Sequence, residues 1–198
     1  MENLKKVYEK HGFELICVPD KEEALRMAMS FIKPQMRIGL GGSTSVKEIG
    51  LYEYVASRTD ITLFNQYESG ISIEENVERR RQGLLVDLYI CSTNALTKNG
   101  ELVNADGSGN RVAAQIFGPK KVLIIAGKNK LVETIEDGFK RIREVAAPKN
   151  LERMNNVAKS MGKVPRYTLE TIGQKFSYIT GDEVGRTTII LVDEVLGF

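Results

Sequence analysis

Residues 91–118 read CSTNALTKNGELVNADGSGNRVAAQIFG, where an apolar strand gives way to polar, glycine-rich sequence and then to a helix. The preceding run, Leu84–Cys91, is almost continuously apolar, which is typical of a strand covered on both faces. The dipeptide Asn99-Gly100 predicts a hairpin turn that brings its two flanking segments together. Apolar residues at helical spacing follow from residue 112, so the stretch predicts a strand, a hairpin and a helix in succession.

Outward from this stretch, strand-like runs alternate with helical patterns along the whole chain. Ser45 and Glu48 fit a capping box at a helix start, and one face of a long helix runs from Leu131 to Ala146 and stops at Pro148. Residues 149–161 look helical and polar. This alternation predicts an α/β fold of three layers, with a mostly parallel sheet flanked by helices, in one domain over residues 1–198. The further strands are predicted at residues 13–18, 36–40, 61–64, 121–126, 176–179 and 187–192.

Small and polar residues follow the predicted strands where each strand ends. Ligands of parallel sheets bind outside the carboxyl ends of the strands, and backbone N–H groups at a helix start favour an anion. We therefore predict a site for a small anionic or phosphorylated ligand, bound bidentately by Arg111 and attracted by the charge of Lys130 or Lys128. The alternative is that these residues only solvate loops and bond their own turns. The predicted ligand-binding residues are Gly41, Gly42, Ser43, Thr44, Asn94, Asn104, Asp106, Asn110, Arg111 and Lys130.

Catalysis would need a group that titrates, and few such groups lie near this edge. Asp106 and Glu68 are the candidate catalytic carboxylates, whereas the amide of Asn94 does not titrate. Cys91 lies in an apolar strand, which raises the pKa of a thiol, so we expect it to be unreactive.

The charge and the apolar runs of the sequence argue against two classes of partner, nucleic acids and membranes. The chain has 198 residues and a formal net charge of +2, which does not indicate a nucleic-acid partner. The triplet Arg79-Arg80-Arg81 lies among glutamates and is interpreted as a solvated helix face. No apolar run approaches the length of a membrane span, so no membrane partner is expected.

The cysteines and the amino terminus bear on location. Cys17 and Cys91 lie far apart in apolar segments, so we expect buried free thiols in a reducing cytoplasm. A metal site built from these thiols and the lone His11 is not expected. Residues 1–6 lack the apolar core of a secretory signal, so the predicted location is cytoplasmic.

Four segments of the sequence resemble the LUD (lactate utilization) domain family: residues 94–130, NALTKNGELVNADGSGNRVAAQIFGPKKVLIIAGKNK, with AAPKN at 146–150, the Gly-Gly-Ser of 41–43 and the terminal ILVDEVLGF of 190–198. The resemblance implies the fold shared by ribose-5-phosphate isomerase, glucosamine-phosphate deaminase and the CoA-transferases. It also implies a role as accessory subunit in the oxidation of L-lactate to pyruvate, beside iron-sulfur protein subunits.

The chain also departs from these families. Many LUD relatives carry a cysteine-rich insertion that could hold a metal or cluster, but residues 160–186 contain no cysteine here, so no cofactor is expected in this chain. Distantly similar sugar-phosphate isomerases, related to translation initiation factor subunits, have a catalytic aspartate where this chain has Asn94. Two alternatives stay open: a stand-alone enzyme acting on a phosphorylated sugar or a CoA-type substrate, and a non-catalytic regulatory protein. Assembly into a homo-oligomer is also left open.

Overall fold

The computed structural model describes residues 2–160, 162, 164–165 and 167–198. The predicted helical segment 149–161 therefore ends on a residue, Met161, that lies outside the described residues. In chain order the helices are α1 (Glu2–Lys10), α2 (Lys21–Ser30), α3 (Thr44–Glu48), α4 (Leu51–Ser57), α5 (Ile73–Gln82), α6 (Asn110–Ile116), α7 (Ile135–Arg141) and α8 (Ala147–Ser160). The strands are β1 (Glu14–Val18), β2 (Arg37–Leu40), β3 (Thr62–Phe64), β4 (Leu88–Cys91), β5 (Ala95–Thr97), β6 (Leu102–Asp106), β7 (Lys121–Gly127), β8 (Leu131–Val132), β9 (Lys175–Ile179) and β10 (Thr187–Val192).

Six strands form a sheet in the order β1-β10-β7-β4-β2-β3, and all of its neighbouring strands run parallel. Alternate residues of one strand face opposite sides of a sheet, and β10 shows both sides to be buried. Ile190 and Val192 belong to the core cluster that includes α2, α3 and α4, whereas Ile189 and Leu191 belong to the cluster on the other face. The predicted α/β architecture, a mostly parallel sheet flanked by helices, is confirmed.

The second face of the large sheet carries a smaller, four-stranded sheet in the order β8-β5-β6-β9. The hairpin predicted from Asn99-Gly100 forms its centre, with Leu96 opposite Leu102 in antiparallel register. Strand β9, predicted from its sequence, joins the outer edge of this sheet by pairing with β6. The hairpin follows the carboxyl end of β4 almost directly in the chain. The polar residues of β6 therefore lie beside the large sheet.

Three local predictions were wrong. The helix that begins after the Gly-Gly turn is capped by Ser43, whose Oγ accepts from the backbone N–H of Val46, so Ser45 lies inside the helix and does not cap it. The run Leu84–Cys91 is a strand only from Leu88 onward. Leu131 lies in β8, and the helix that follows does not stop at Pro148 but continues through a π-helical segment, Ile142–Ala146, into α8. Pro148 is tolerated in the first turn of α8 because the wider π turn interrupts the regular hydrogen-bond ladder just before it.

Candidate functional site

The carboxyl ends of three adjacent strands meet at one edge of the large sheet. Strand β4 pairs with both β2 and β7, so the residues that follow these strands are brought together. Gly41 and the start of α3 follow β2, Ser92 follows β4, and the 3-10 turn Lys128–Lys130 follows β7. The hairpin of the smaller sheet and α6 add Asn94, β6 residues and Arg111 to the same place.

Arg111 is the centre of the polar residues contributed by the hairpin. Its side chain is buried, with 8% of the residue exposed. Nη1 donates to Asn104 Oδ1 at 2.6 Å and to the carbonyl of Ser92 at 2.9 Å, and Nη2 donates to Asn94 Oδ1 at 2.8 Å. Nη2 and Nε both donate to Asp106 Oδ1, at 2.6 and 3.0 Å. The structure therefore brings together Asn94, Asn104, Asp106 and Arg111, all predicted from sequence.

These contacts engage the whole guanidinium. Nη2 also donates to the carbonyl of Ala105 at 2.9 Å, so the five N–H groups of this side chain already make six hydrogen bonds to five acceptor atoms. A bidentate grip on a ligand, as expected from the sequence, would require Arg111 to give up two of these bonds. In this structure Arg111 holds the hairpin, β4 and α6 together.

Asp106 also occupies the helix start that was expected to offer N–H groups to an anion. Its Oδ2 accepts from the backbone N–H of Arg111 and of Val112, each at 3.0 Å. At the start of α3 the hydroxyl of Ser43 takes the same role. At these two helix starts, oxygen atoms of the chain itself therefore accept from N–H groups that the sequence analysis expected to face an anion.

Lys130 lies at the meeting point of the three strand ends and is 2% exposed. Its Nζ is 2.8 Å from Ser92 Oγ and 3.0 Å from Ser45 Oγ. Burial, with a further contribution from the positive charges of Arg141 and Arg111, lowers the pKa of Lys130 to about 7, and the more weakly acting charge of Glu48 opposes this. A lysine in this place is partly neutral near physiological pH.

Arg141, at the end of α7, completes the cationic cluster formed by Arg111, Lys130 and Arg141. It is 9% exposed, and its Nε and Nη1 donate to the carbonyls of Asn129 and Asn94 at 2.9 and 2.6 Å. Burial lowers the pKa of Arg141. Nη2 finds no hydrogen-bond partner among the described residues, so this arginine keeps donors for a ligand.

Steric contacts explain why the two residues of the β2–α3 turn, Gly41 and Gly42, are glycines. A Cβ on Gly41 would lie 2.7 Å from Cys91 Cβ, and a Cβ on Gly42 would lie 2.6 Å from the hydroxyl of Tyr67. At residue 41 the obstacle belongs to the packed core, so glycine is required there with or without a ligand, whereas a side chain at residue 42 would have to displace the hydroxyl end of Tyr67. Thr44, the first residue of α3 after this turn, is half-buried.

Two predicted residues lie farther from the cluster. Asn110 donates from Nδ2 to the hydroxyl of Tyr89 at 3.2 Å, and burial raises the pKa of that tyrosine well above its usual value. Glu68 is exposed and pairs with Arg79 at 2.5 Å. Of the two candidate catalytic carboxylates, Asp106 is engaged by Arg111 and Glu68 by Arg79.

The thiol of Cys91 is unsuited to nucleophilic chemistry. Its side chain is fully buried, and burial raises its pKa to about 11, despite the hydrogen bond from Gln115 and the charge of Arg111. The expectation of a raised pKa is confirmed. Cys17 is also a free thiol, but it is only half-buried, contrary to the expectation that both would be buried.

A cleft of about 600 Å³ lies along α8. Phe198 lines it, and the preceding Gly197 packs against Ser45 and donates its N–H to Glu48 at 2.6 Å. Lys149 and Arg153 of α8 also line it. The cleft offers room for a small molecule, and its lining includes the carboxylate of Glu152 besides the two cations.

The sequence model of the LUD domain family matches residues 1–192. The chain belongs to the LUD domain family. Membership supports a role related to lactate utilization. None of the curated proteins compared with this LUD domain matches it significantly.

Solved structures show what the LUD domain is similar to. A DUF162 family protein from Deinococcus radiodurans has a TM-score of 0.53 and 11% identity, covering 96% of this chain and 94% of that chain. At this identity the likeness shows the fold alone. Ribose-5-phosphate isomerase A from Methanocaldococcus jannaschii has a TM-score of 0.38 and 15% identity, covering 80% of this chain and 78% of that chain.

The predicted ligand-binding residues of this LUD-domain site left out Ser45, Ser92 and Arg141. Ser45 and Ser92 lie in segments that were expected at the carboxyl ends of strands, whereas no signal in the sequence pointed to Arg141. Within the described part of the chain, no group of three or more His, Cys, Asp or Glu side chains is placed to hold a metal ion. No helix of that part is long and apolar enough to cross a membrane.

Proposed function

We propose that this LUD-domain protein binds a small anionic or phosphorylated ligand at the carboxyl ends of β2, β4 and β7. In this proposal it is a cytoplasmic accessory subunit that acts with iron-sulfur proteins in the oxidation of L-lactate to pyruvate. Family membership supports the metabolic role. The charge of the site supports the chemistry of the ligand.

The main support for the anion site is an excess of buried positive charge. Arg111 is paired with Asp106, whereas Lys130 bonds only serine hydroxyls and Arg141 only backbone carbonyls. No carboxylate of the described residues pairs with either. An unpaired charge removed from water costs several kcal/mol, so the folded protein gains from a bound anion that offsets this charge.

The donors that remain define how the anion would bind. Arg141 retains both N–H groups of Nη2, and a protonated Lys130 has three N–H groups for two serine partners. A carboxylate or phosphate beside them would receive charge-assisted hydrogen bonds from Arg141, and from Lys130 in those molecules in which this lysine is protonated. Arg111 would attract the anion by its nearby positive charge and not by hydrogen bonds, because its N–H groups are already bonded within the chain.

The engaged carboxylates favour this proposal over an enzyme in which Asp106 or Glu68 is the base. Asp106 accepts four hydrogen bonds: Oδ1 accepts from Nε and Nη2 of Arg111, and Oδ2 accepts from the backbone N–H groups of Arg111 and Val112. Both oxygens of Asp106 are therefore already occupied by hydrogen-bond donors of the chain itself. Glu68 is solvated and lies outside the cluster.

The accessory role is tested by affinity purification of the tagged full chain from its native host. The eluate is assayed for iron and for lactate-dependent reduction of a dye. Co-purification of iron-containing proteins with that activity is the expected result. Elution of the chain alone and without activity would remove the metabolic part of the proposal, and the anion site would then be judged by ligand binding alone.

A further inference from the structure

Lys130 has a second property that anion binding does not use. Its Nζ lies between two serine hydroxyls, 2.8 Å from Ser92 Oγ and 3.0 Å from Ser45 Oγ. All three residues are at least 95% buried, and among the described residues no carboxylate pairs with the amine. A lysine amine between two serine hydroxyls is an arrangement in which one hydroxyl can lose its proton to nitrogen.

The fold holds the three groups on a rigid frame. Ser92 is the first residue after β4, Lys130 ends the 3-10 turn after β7, and Ser45 lies in α3 after β2. Since β4 pairs with both other strands, the spacing of the groups is set by the sheet and not by a mobile loop.

The amine can accept a proton near neutral pH. Burial and the charges of Arg141 and Arg111 lower the pKa of Lys130 to about 7, while Glu48 and Cys91 act weakly in the opposite direction. Near neutral pH, part of the molecules would therefore carry a neutral amine. Only the neutral amine has a lone pair with which to accept a hydrogen bond from a serine hydroxyl.

Ser92 is better placed than Ser45 to react. Ser45 is fully buried, and its hydroxyl also donates to the carbonyl of Leu196 at 3.2 Å. Ser92 is 5% exposed, and its other bond is to the carbonyl of the adjacent Thr93 at 3.2 Å. Ser45 therefore positions the amine of Lys130, and Ser92 is the serine whose hydroxyl oxygen would react.

We propose that Ser92 is the nucleophile and Lys130 the proton acceptor of an acyl-transfer site, whose substrates are esters or thioesters that carry a carboxylate or phosphate. The substrate class rests on the proposed function, because the anionic group would bind at Arg141, which retains donors beside Lys130. The nucleophile and its base rest on the serine–lysine geometry alone.

The reaction balances with water as the only co-reactant. Ser92 Oγ forms a bond to the acyl carbon while its proton moves to Lys130 Nζ. The bond from the acyl carbon to the alcohol or thiol breaks, the electron pair leaves with that group, and Lys130 returns the proton to it. Water then attacks the acyl carbon, giving its proton to Lys130, and the departing Ser92 oxygen takes that proton back. The products are a carboxylic acid and an alcohol or thiol.

The test is acylation of the full-length protein by two small esters, p-nitrophenyl acetate and mono-p-nitrophenyl succinate. Only the second carries a carboxylate. We expect a burst of p-nitrophenol and the mass of one acyl group on the peptide that contains Ser92, with the succinate ester reacting faster. The acylation rate should rise with pH through about 7 as Lys130 loses its proton.

Matched variants decide between this proposal and adventitious acylation. Lys130→Met should lower the acylation rate at Ser92 by about 100-fold or more, the range for loss of a general base. Ser92→Ala should abolish the burst, and it removes a single oxygen atom, so it keeps the test valid where Lys130→Met does not fold. Ser57→Ala removes an exposed serine of α4 and should change nothing. Arg141→Met should remove the preference for the succinate ester.

The outcomes separate the two proposals. Absence of acylation at Ser92 in the wild type, or an equal rate in folded Lys130→Met, overturns the acyl-transfer site and leaves anion binding untouched. Acylation of Ser92 by both esters at equal rates, with no binding of phosphate or lactate, overturns the anion site and leaves the nucleophile in place.

Discussion

The carboxylate of Asp106 binds Arg111 twice over, through the guanidinium and through the backbone. Oδ1 accepts from Nε and Nη2 at 3.0 and 2.6 Å, and Oδ2 accepts from the backbone N–H of Arg111 at 3.0 Å. One carboxylate therefore neutralises a buried arginine and also fixes the first turn of α6. The remaining cations of the cluster, Lys130 and Arg141, have no comparable partner.

Replacing Asp106 by asparagine should destabilise the protein strongly. The Asp106→Asn variant leaves Arg111 as an uncompensated charge with only 10% of its side chain exposed, so we expect a loss of about 3 kcal/mol in the free energy of unfolding. Urea unfolding measures it. The control is Glu68→Gln, which breaks an exposed pair with Arg79 and should cost less than about 1 kcal/mol. Equal losses in both variants would contradict the central role of the Asp106–Arg111 pair.

Lys130 should make stability depend on pH. Its pKa is lowered to about 7 in the folded protein, and the unfolded chain retains an ordinary lysine, so the unfolded state binds more protons above pH 7. Stability of the wild type relative to Lys130→Met should therefore rise from pH 7 to pH 9, by at most about 1.4 kcal/mol per pH unit. Parallel urea titrations of the two proteins measure the difference. A difference that stays constant over this range would show that Lys130 is not desolvated as described.

Gly41→Ala should destabilise the β2–α3 turn. The new Cβ would lie 2.7 Å from Cys91 Cβ and 3.3 Å from Tyr89 Cε1, two groups of the packed core. Overpacking of this kind costs about 1 to 3 kcal/mol. Thermal unfolding should show a clear loss for Gly41→Ala and almost none for Gly173→Ala, whose Cβ would meet Ala105 at an ordinary 3.4 Å. Comparable melting of Gly41→Ala and wild type would mean that the turn can move away from β4.

The two thiols should react at very different rates. Cys91 is fully buried with a pKa raised to about 11, whereas Cys17 is half-buried. Iodoacetamide added to the native protein should alkylate Cys17 first and reach Cys91 only on unfolding. Peptide mass spectrometry at successive times follows both sites. Rapid alkylation of Cys91 in the native state would show that the strand ends open to solvent.

Local patterns in the sequence were sufficient for the hairpin and for most strands. Asn99-Gly100 specifies its turn directly, and Thr187–Val192 is so apolar that a buried strand is its natural structure. The carboxyl-end rule then located Asn94, Asn104, Asp106, Arg111 and Lys130, which the structure places in one connected set of contacts.

The remaining members of the site depend on tertiary contacts that no local pattern carries. Ser45 looks like a helix cap until Ser43 is seen to take that role, and its link to Lys130 spans 85 residues. Arg141 lies on a helix beside Lys140 and Arg143, where a charged residue is usually solvated, and only the packing of α7 on the small sheet buries it. The presence of that second sheet was itself not predicted, because β8 has only two residues.

Binding of a simple anion tests the central claim most directly. Isothermal titration calorimetry of the full chain with inorganic phosphate and with L-lactate should show one site for at least one of them. Arg141→Met removes charge-assisted hydrogen bonds and should weaken that binding by about 10-fold or more. Arg143→Met removes the same charge from an exposed position two residues away and should leave the affinity unchanged. Absence of binding to both anions, or equal affinity in the two variants, would contradict an anion site at the carboxyl ends of β2, β4 and β7.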